Sequence, residues 1–183
     1  MRRPAHIAFP IALAFMACCG CTKQLESSYE GQEKSIQSIV ESLGRSNPDA
    51  TTEYLNGSVK VTVVHGEGEA LKEDGAVSFY YAGQYISGSS LSSSTLFATN
   101  YDVYANSVGW RITDTTAFRI CTVNLAKDDL VEGLRNGLQG VKAGDECYVL
   151  FSGKYGFGKN KIANVPSRAA LAYHLWIKSV SNN

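Results

Sequence analysis

Charge is scarce in this chain. Of its 183 residues only 19% are Asp, Glu, Lys or Arg, and the two signs cancel. No basic run interleaved with aromatics occurs, which argues against a polyanion-binding surface and so against a nucleic-acid partner. Histidine is also rare. His6, His65 and His174 lie far apart, and beyond residue 21 no Cys pair stands at ligand spacing, so no metal centre is expected. No Ser-His-Asp arrangement is legible. Tyr155-Gly156-Phe157-Gly158 lacks the strand–loop–helix setting and the Lys-Ser/Thr of a phosphate-cradling loop, and no cofactor is expected. The one apolar run of any length, Ile7 to Ala17, is too short for a permanent membrane span. Beyond residue 21 only Cys121 and Cys147 remain, both in predicted strands, and they read as two small buried hydrophobes rather than a bridge.

What is present is a hydrophobic share of 44%, that of a folded domain, in a length suited to one domain with a leader. The leader has a basic start (Arg2, Arg3), the Ile7–Ala17 run and then Cys18-Cys19-Gly20-Cys21. This resembles a bacterial lipoprotein signal. The resemblance implies a signal peptide over residues 1–20, acylation of Cys21 (or of Cys18, three residues earlier), and a lipid anchor in the bacterial cell envelope. The outer membrane, on its periplasmic or surface side, is the expected location. Each buried CH₂ of such a lipid contributes about 0.8 kcal/mol, so a multiply acylated Cys holds a protein on a membrane without a transmembrane helix.

Ser27 and Glu30 have capping-box spacing, and Ile36, Ile39, Val40 and Leu43 recur at helical period before Gly44. The pattern predicts an amphipathic helix over residues 28–43, part of a helical stalk and connector spanning 21–52. An isolated helix of this length is marginal in water, so its apolar stripe is expected to dock on the domain. Residues 53–183 read as a domain of strands with one short helix. Val59, Val61 and Val63 alternate with Lys60 and Thr62; further strands are predicted over 76–86, 119–125, 147–151 and 171–180, with a helix over 130–138. Asp128-Asp129 reads as an acid pair at the entry of that helix. Residues 97–118 read as an ordered insertion, and His174 points away from the face carrying Tyr173 and Leu175. The fold class is α+β: an antiparallel sheet wrapped on one short helix, preceded by the amphipathic helix.

Several segments occur in an order that resembles the FKBP-type prolyl isomerases. They are Tyr81-Ala82-Gly83, Phe97-Ala98-Thr99-Asn100, Leu130-Val131-Glu132-Gly133-Leu134-Arg135-Asn136-Gly137-Leu138, Lys154-Tyr155-Gly156 and Val165-Pro166 through Leu171-Ala172-Tyr173. The family's patterns at these places are Tyr-Thr-Gly, Phe-Asp-Ser-Ser, a Gly-Trp-bearing helix, Ala-Tyr-Gly and Ile-Pro-Pro through Leu-Val-Phe. The resemblance implies Tyr81, Tyr155 and Val131 as the catalytic set, with the Tyr155 hydroxyl and the Val131 N–H as hydrogen-bond donors. Phe97, Leu130, Leu134, Val165 and Tyr173 are implied as substrate-binding wall and floor. The family's Phe on the strand before the helix falls on Cys121, or on Phe118 under a shifted alignment.

The implied activity is rotation of Xaa-Pro peptide bonds in exported proteins, with proline-containing polypeptides and macrolide-type compounds as ligands. The amide barrier of about 18–20 kcal/mol comes from resonance, which rotation destroys. A dry apolar pocket favours the less polar twisted state and needs neither nucleophile nor metal. Two positions depart from the pattern: Ala98 stands for the family's Asp and Leu134 for its Trp. A catalytically degenerate peptide-binding or envelope-assembly lipoprotein is the alternative.

Overall fold

The computed structural model describes residues 18–110 and 115–182. The predicted leader lies mostly outside these residues, and of Cys18 and Cys21 only the backbone is described. The first helix, α1 (Cys18–Ser46), is longer than expected. Ser27 and Glu30 lie inside it, so the predicted capping box is not its start. The apolar stripe begins earlier than the isoleucines suggest: half-buried Leu25, Tyr29 and Gln32 continue the spacing of Ile36, Ile39, Val40 and Leu43. Asn47 closes the helix, donating its backbone and side-chain N–H groups to the Leu43 carbonyl at 3.0 and 2.9 Å.

The strands are β1 (Thr51–Leu55), β2 (Ser58–Val64), β3 (Ala76–Ile86), β4 (Leu96–Thr99), β5 (Cys121–Asn124), β6 (Glu146–Phe151) and β7 (Ala170–Ser181). They form one antiparallel sheet in the order β1-β2-β6-β7-β3-β4, with β5 sharing the β3 edge with β4. β1 was expected to be connector in its first half. All but its last residue are exposed, so it carries no burial alternation; the signal it does carry is the Asn56-Gly57 turn, where both residues have positive φ.

The two faces of the sheet are covered differently. Ile36, Ile39 and Val40 of α1 pack on Val59, Val61, Leu150, Ala170 and Ala172, so the expected stalk lies along the domain. On the opposite face, α3 (Glu132–Leu138) sits over Cys147, Val149, Phe151, Leu171, Tyr173 and Leu175. A Cβ at Gly133 would lie 2.2 Å from the Phe151 ring, and one at Gly137 would lie 2.1 Å from Val149. Glycine at both places is what lets the helix press on β6. Lys60, 2% exposed, donates from under the C-terminal end of α3 to the Gln139 carbonyl at 2.9 Å and pairs with Glu53 at 3.2 Å. A cation there complements the helix dipole.

α3 begins two residues later than predicted, leaving Leu130 and Val131 as its extended approach. Asp128 does not serve its entry: its carboxylate accepts the Asn124 N–H at 2.7 Å and closes the turn after β5, while Glu132 is the acid of the first turn. Cys121 and Cys147 are free thiols on strands separated by β3 and β7.

The insertion after β4 contains α2 (Asp102–Ser107) and covers the outer face beyond α1. Tyr101 stacks on Tyr80 at 5.0 Å and meets Trp176 at 4.7 Å, and Tyr104 meets both Trp176 and His174. His174 is on this second face, as expected. It lies between Tyr148 (4.0 Å) and Trp176 (3.9 Å) and bonds the Glu146 carboxylate at 2.8 Å.

Burial holds the His174 pKa below its ordinary 6.5, the carboxylate opposing it only in part; the hydrogen bond from His174 holds Glu146 below its ordinary 4.5. In both cases the unfolded chain takes a proton that the folded one refuses, so stability falls as pH drops, first through 6.5 and then through 4.5. Urea unfolding between pH 7.5 and 4 is expected to show this decline, and His174→Gln to flatten its upper part. A stability that rises on acidification would contradict the assignment.

Candidate functional site

The sheet curls around α3 and brings five aromatic rings together at one end of the helix. Tyr173 of β7 is the hub. Its ring lies 6.2 Å from Tyr81 of β3, 5.9 Å and nearly perpendicular to Phe97 of β4, and 6.0 Å and nearly parallel to Phe151 of β6. Phe157, from the loop after β6, meets Phe97 edge-on at 6.0 Å. Gly83 leaves space for this packing: a Cβ there would lie 2.7 Å from Phe97 and 3.2 Å from Tyr173. Leu134 of α3, 7% exposed, belongs to the same core. Tyr81, Phe97, Leu130, Val131 and Phe157 are all half-buried, so the core reaches the surface here as an apolar patch with an aromatic rim.

Most of the predicted residues therefore meet in one place. Tyr81, Phe97, Leu134 and Tyr173 share the aromatic cluster and its core, with Leu130 and Val131 packed on the same core ahead of α3. The Val131 N–H donates to no protein acceptor among the described residues. Val165, 1% exposed, backs the wall instead of lining it.

Tyr155 is placed differently from expectation. A Cβ at Gly57 would lie 2.2 Å from the phenol end of its ring, so that ring lies across the β1–β2 turn, with the Lys154 ammonium 5.3 Å from its centre. Its carbonyl accepts the Gly133 N–H at 2.9 Å and satisfies one of the orphan donors at the start of α3. Tyr155 thus fixes the loop to the helix and the hairpin. The residue that loop sends to the aromatic cluster is Phe157, which has no hydroxyl.

Sequence reasoning also missed what holds Tyr81. Along the outer edge of β3, β5 pairs as far as Phe79 and β4 begins at Ala82. The buried Asn100 fills the gap: its Oδ1 accepts the Tyr81 N–H at 2.6 Å, and its Nδ2 donates to the carbonyls of Arg119 (2.8 Å) and Phe79 (3.3 Å). The Tyr81 carbonyl accepts from Thr99 Oγ1 at 2.7 Å and from the Asn100 N–H at 3.2 Å. Gln32 of α1 makes a similar tie between the two ends of the loop between β6 and β7, donating to the Arg168 carbonyl and accepting the Gly153 N–H, both at 2.8 Å.

None of the side chains named in this patch carries a charge. Cys121, opposite Phe79 in the sheet, packs on the same core as Tyr81, and it is Cys121, not Phe118, that the strand register puts in this neighbourhood. Burial raises the pKa of Tyr81, of Cys121 and, most strongly, of Tyr173, so the phenols and the thiol stay protonated at neutral pH. The patch therefore offers apolar surface and neutral donors. Among the described residues no group of three or more His, Cys, Asp or Glu could hold a metal ion.

Asn100→Ala would leave the Tyr81 N–H and two carbonyls without their partner. A loss of about 1–3 kcal/mol in urea unfolding is expected, with faster amide exchange at Tyr81. Unchanged exchange at Tyr81 would show that Asn100 does not position it.

The chain matches the model of a known family over residues 67–178, more than half its length, and that model describes the FKBP-type peptidyl-prolyl cis-trans isomerase. No curated protein sequence matches it. Among solved structures it is similar to FkpA from Escherichia coli, at 19% identity and a TM-score of 0.56, covering 88% of this chain and 64% of that one. It is also similar to the N-terminal domain of FKBP42 from Arabidopsis thaliana, at 18% identity and a TM-score of 0.54, covering 73% and 94%. The three FKBP domains of wheat FKBP73 match at 18% identity and a TM-score of 0.56, covering 72% and 50%. These likenesses agree with the strand order and with the helix pressed into the sheet, and together with the family match they place the chain: it belongs to the FKBP-type peptidyl-prolyl cis-trans isomerases.

Proposed function

We propose that this protein accelerates rotation about Xaa-Pro bonds of exported polypeptides, working from a lipid anchor at Cys21 in the bacterial cell envelope. The observation that carries the reading is the convergence of Tyr81, Phe97, Phe157 and Tyr173 beside Leu134 in one apolar patch, which we read as the wall of a substrate hollow. Xaa-Pro bonds isomerise in tens to hundreds of seconds unaided, slowly enough to limit folding. A prolyl ring seated on these aromatics leaves water, and the twisted amide, having lost its resonance dipole, is the state such surroundings favour. The Tyr81 hydroxyl and the Val131 N–H are neutral donors for flanking carbonyls. They hold one side of the bond while the other turns, which stabilises the transition state by differential binding. Macrolide-type compounds that present a prolyl-like ring are expected to compete for the same surface.

The anchor follows from the leader. Three residues after Cys21, α1 starts to line a cleft of about 830 Å³ against the loop carrying Pro166 and Arg168. A lipid at Cys21 would hold the domain close to the bilayer rather than on a long tether. Among the described residues no helix is long and apolar enough to cross a membrane.

The second reading is a domain that holds proline-containing segments without turning them. Ala98, Leu134 and the hydroxyl-free Phe157 favour it, since each removes a polar group or an aromatic surface that the family pattern supplies.

Refolding of a proline-limited protein distinguishes the two. Micromolar wild type is expected to accelerate the slow phase, and Tyr81→Phe to lower kcat/KM about three- to tenfold, the worth of one hydrogen bond. Tyr155→Phe should leave kcat/KM within about twofold, because its ring lies at the β1–β2 turn. No acceleration by the wild type favours the holding role.

A further inference from the structure

Tyr173 carries a polar atom for which the fold provides no partner. The residue is 6% exposed, and its ring is held by Tyr81, Phe97 and Phe151. Its hydroxyl makes no hydrogen bond to any protein group among the described residues. Yet the oxygen is not sealed in: among those residues Ser152 Oγ is the one fully enclosed side-chain polar atom that lacks a partner. The Tyr173 oxygen therefore reaches solvent from an almost wholly buried side chain. The surfaces around its ring are Tyr81, Phe97 and the core containing Leu134, and none of them makes a hydrogen bond to it.

A phenol in such a position is costly as packing alone. A phenylalanine would fill the same space without desolvating an O–H, and Phe is what the resembling family pattern has after Leu-Val, where this chain has Leu171-Ala172-Tyr173. The rest of the hollow has also lost donors, since the loop after β6 sends Phe157 and not Tyr155 to the aromatic cluster. A neutral donor at the hub is matched to one kind of acceptor, the backbone carbonyl of a bound chain.

We propose that the Tyr173 hydroxyl is a substrate-binding donor of the hollow, accepted by a backbone carbonyl flanking the prolyl bond, beside the Tyr81 hydroxyl. This deepens the isomerase reading and rests on it. Two phenols on rings 6.2 Å apart would grip the carbonyl side of an extended Xaa-Pro segment. The site would then select segments whose carbonyl is free, and disfavour those in which it is already bonded within a helix or turn. Burial raises the Tyr173 pKa strongly, with Tyr81 adding to the effect, so the hydroxyl remains a donor across the neutral range.

The test uses the full chain, the peptide Ala-Leu-Pro-Phe, and Tyr173→Phe. The expected result is a three- to tenfold fall in kcat/KM together with an unchanged or higher Tm, because the variant removes a polar atom that the free protein leaves unbonded. In the wild type with ¹³Cζ-labelled tyrosine, the Tyr173 resonance is expected to shift on peptide addition. Equal kcat/KM in variant and wild type, or a Tyr173 signal that does not respond to the peptide, overturns the proposal. A lower Tm also overturns it, since that would reveal an internal partner for the hydroxyl. Should the wild type show no turnover, the isomerase reading fails on its own account. The Tyr173 shift then still decides: a response keeps the hydroxyl as a donor to a held peptide, and silence removes it.

Discussion

The contact on which everything else rests is the one between α3 and β6. Gly133 and Gly137, four residues apart, turn the same side of the helix to Phe151 and Val149, and any side chain there would meet those two residues at about two-thirds of a normal carbon–carbon contact. Their absence lets a seven-residue helix, too short to be stable alone, lie flat on the sheet. The approach puts Leu134 into the core beneath the aromatics. It also brings the Gly133 N–H to the Tyr155 carbonyl and the Gly133 carbonyl to Ser58 Oγ, at 2.9 and 2.7 Å. Hydrophobic burial supplies the attraction; the two glycines set the distance at which it acts.

The sheet then divides labour between its faces. The α3 face holds the main core and ends in the hollow. The other face is covered by α1 over β2, β6 and β7, and by the insertion over Tyr80 of β3 and Trp176 of β7. That second layer reaches back to the site at two points. Asn100, at the start of the insertion, occupies the break between β4 and β5 and fixes the backbone of Tyr81. Gln32, on α1, joins the two ends of the loop between β6 and β7. The additions to the sheet are thus structural supports of the hollow, and the site is built from both ends of the chain.

Much of this was legible in the sequence, and what was not has physical causes. β3, β6 and β7 each alternate over part of their length and are buried on at least one face, so period two betrays them. β1 is exposed on nearly every residue and leaves no such trace, although Asn56-Gly57 announces its hairpin. The helix boundary at Ser27 looked sound because local capping chemistry was present, but tertiary packing of Leu25 and Tyr29 carried the helix past it. Leu134, Phe97, Tyr81 and Tyr173 could be brought together through the family resemblance. Tyr155 and Phe157 could not be told apart that way: both flank Gly156, and which of them enters the hollow is decided by the hairpin glycine Gly57, far away in the chain. The role of Asn100 depends on a gap between two strands and has no sequence signature of its own.

The account claims that a helix pressed onto the sheet makes an uncharged aromatic hollow in which a prolyl ring sits. A crystal structure of the full chain with a bound Xaa-Pro peptide addresses that claim most directly. The account places the prolyl ring against Tyr81, Phe97, Phe157 and Tyr173, with the Tyr155 ring still across Gly57. A peptide seated in the cleft beneath α1 instead, or a Tyr155 ring swung into the hollow to meet it, would contradict the account.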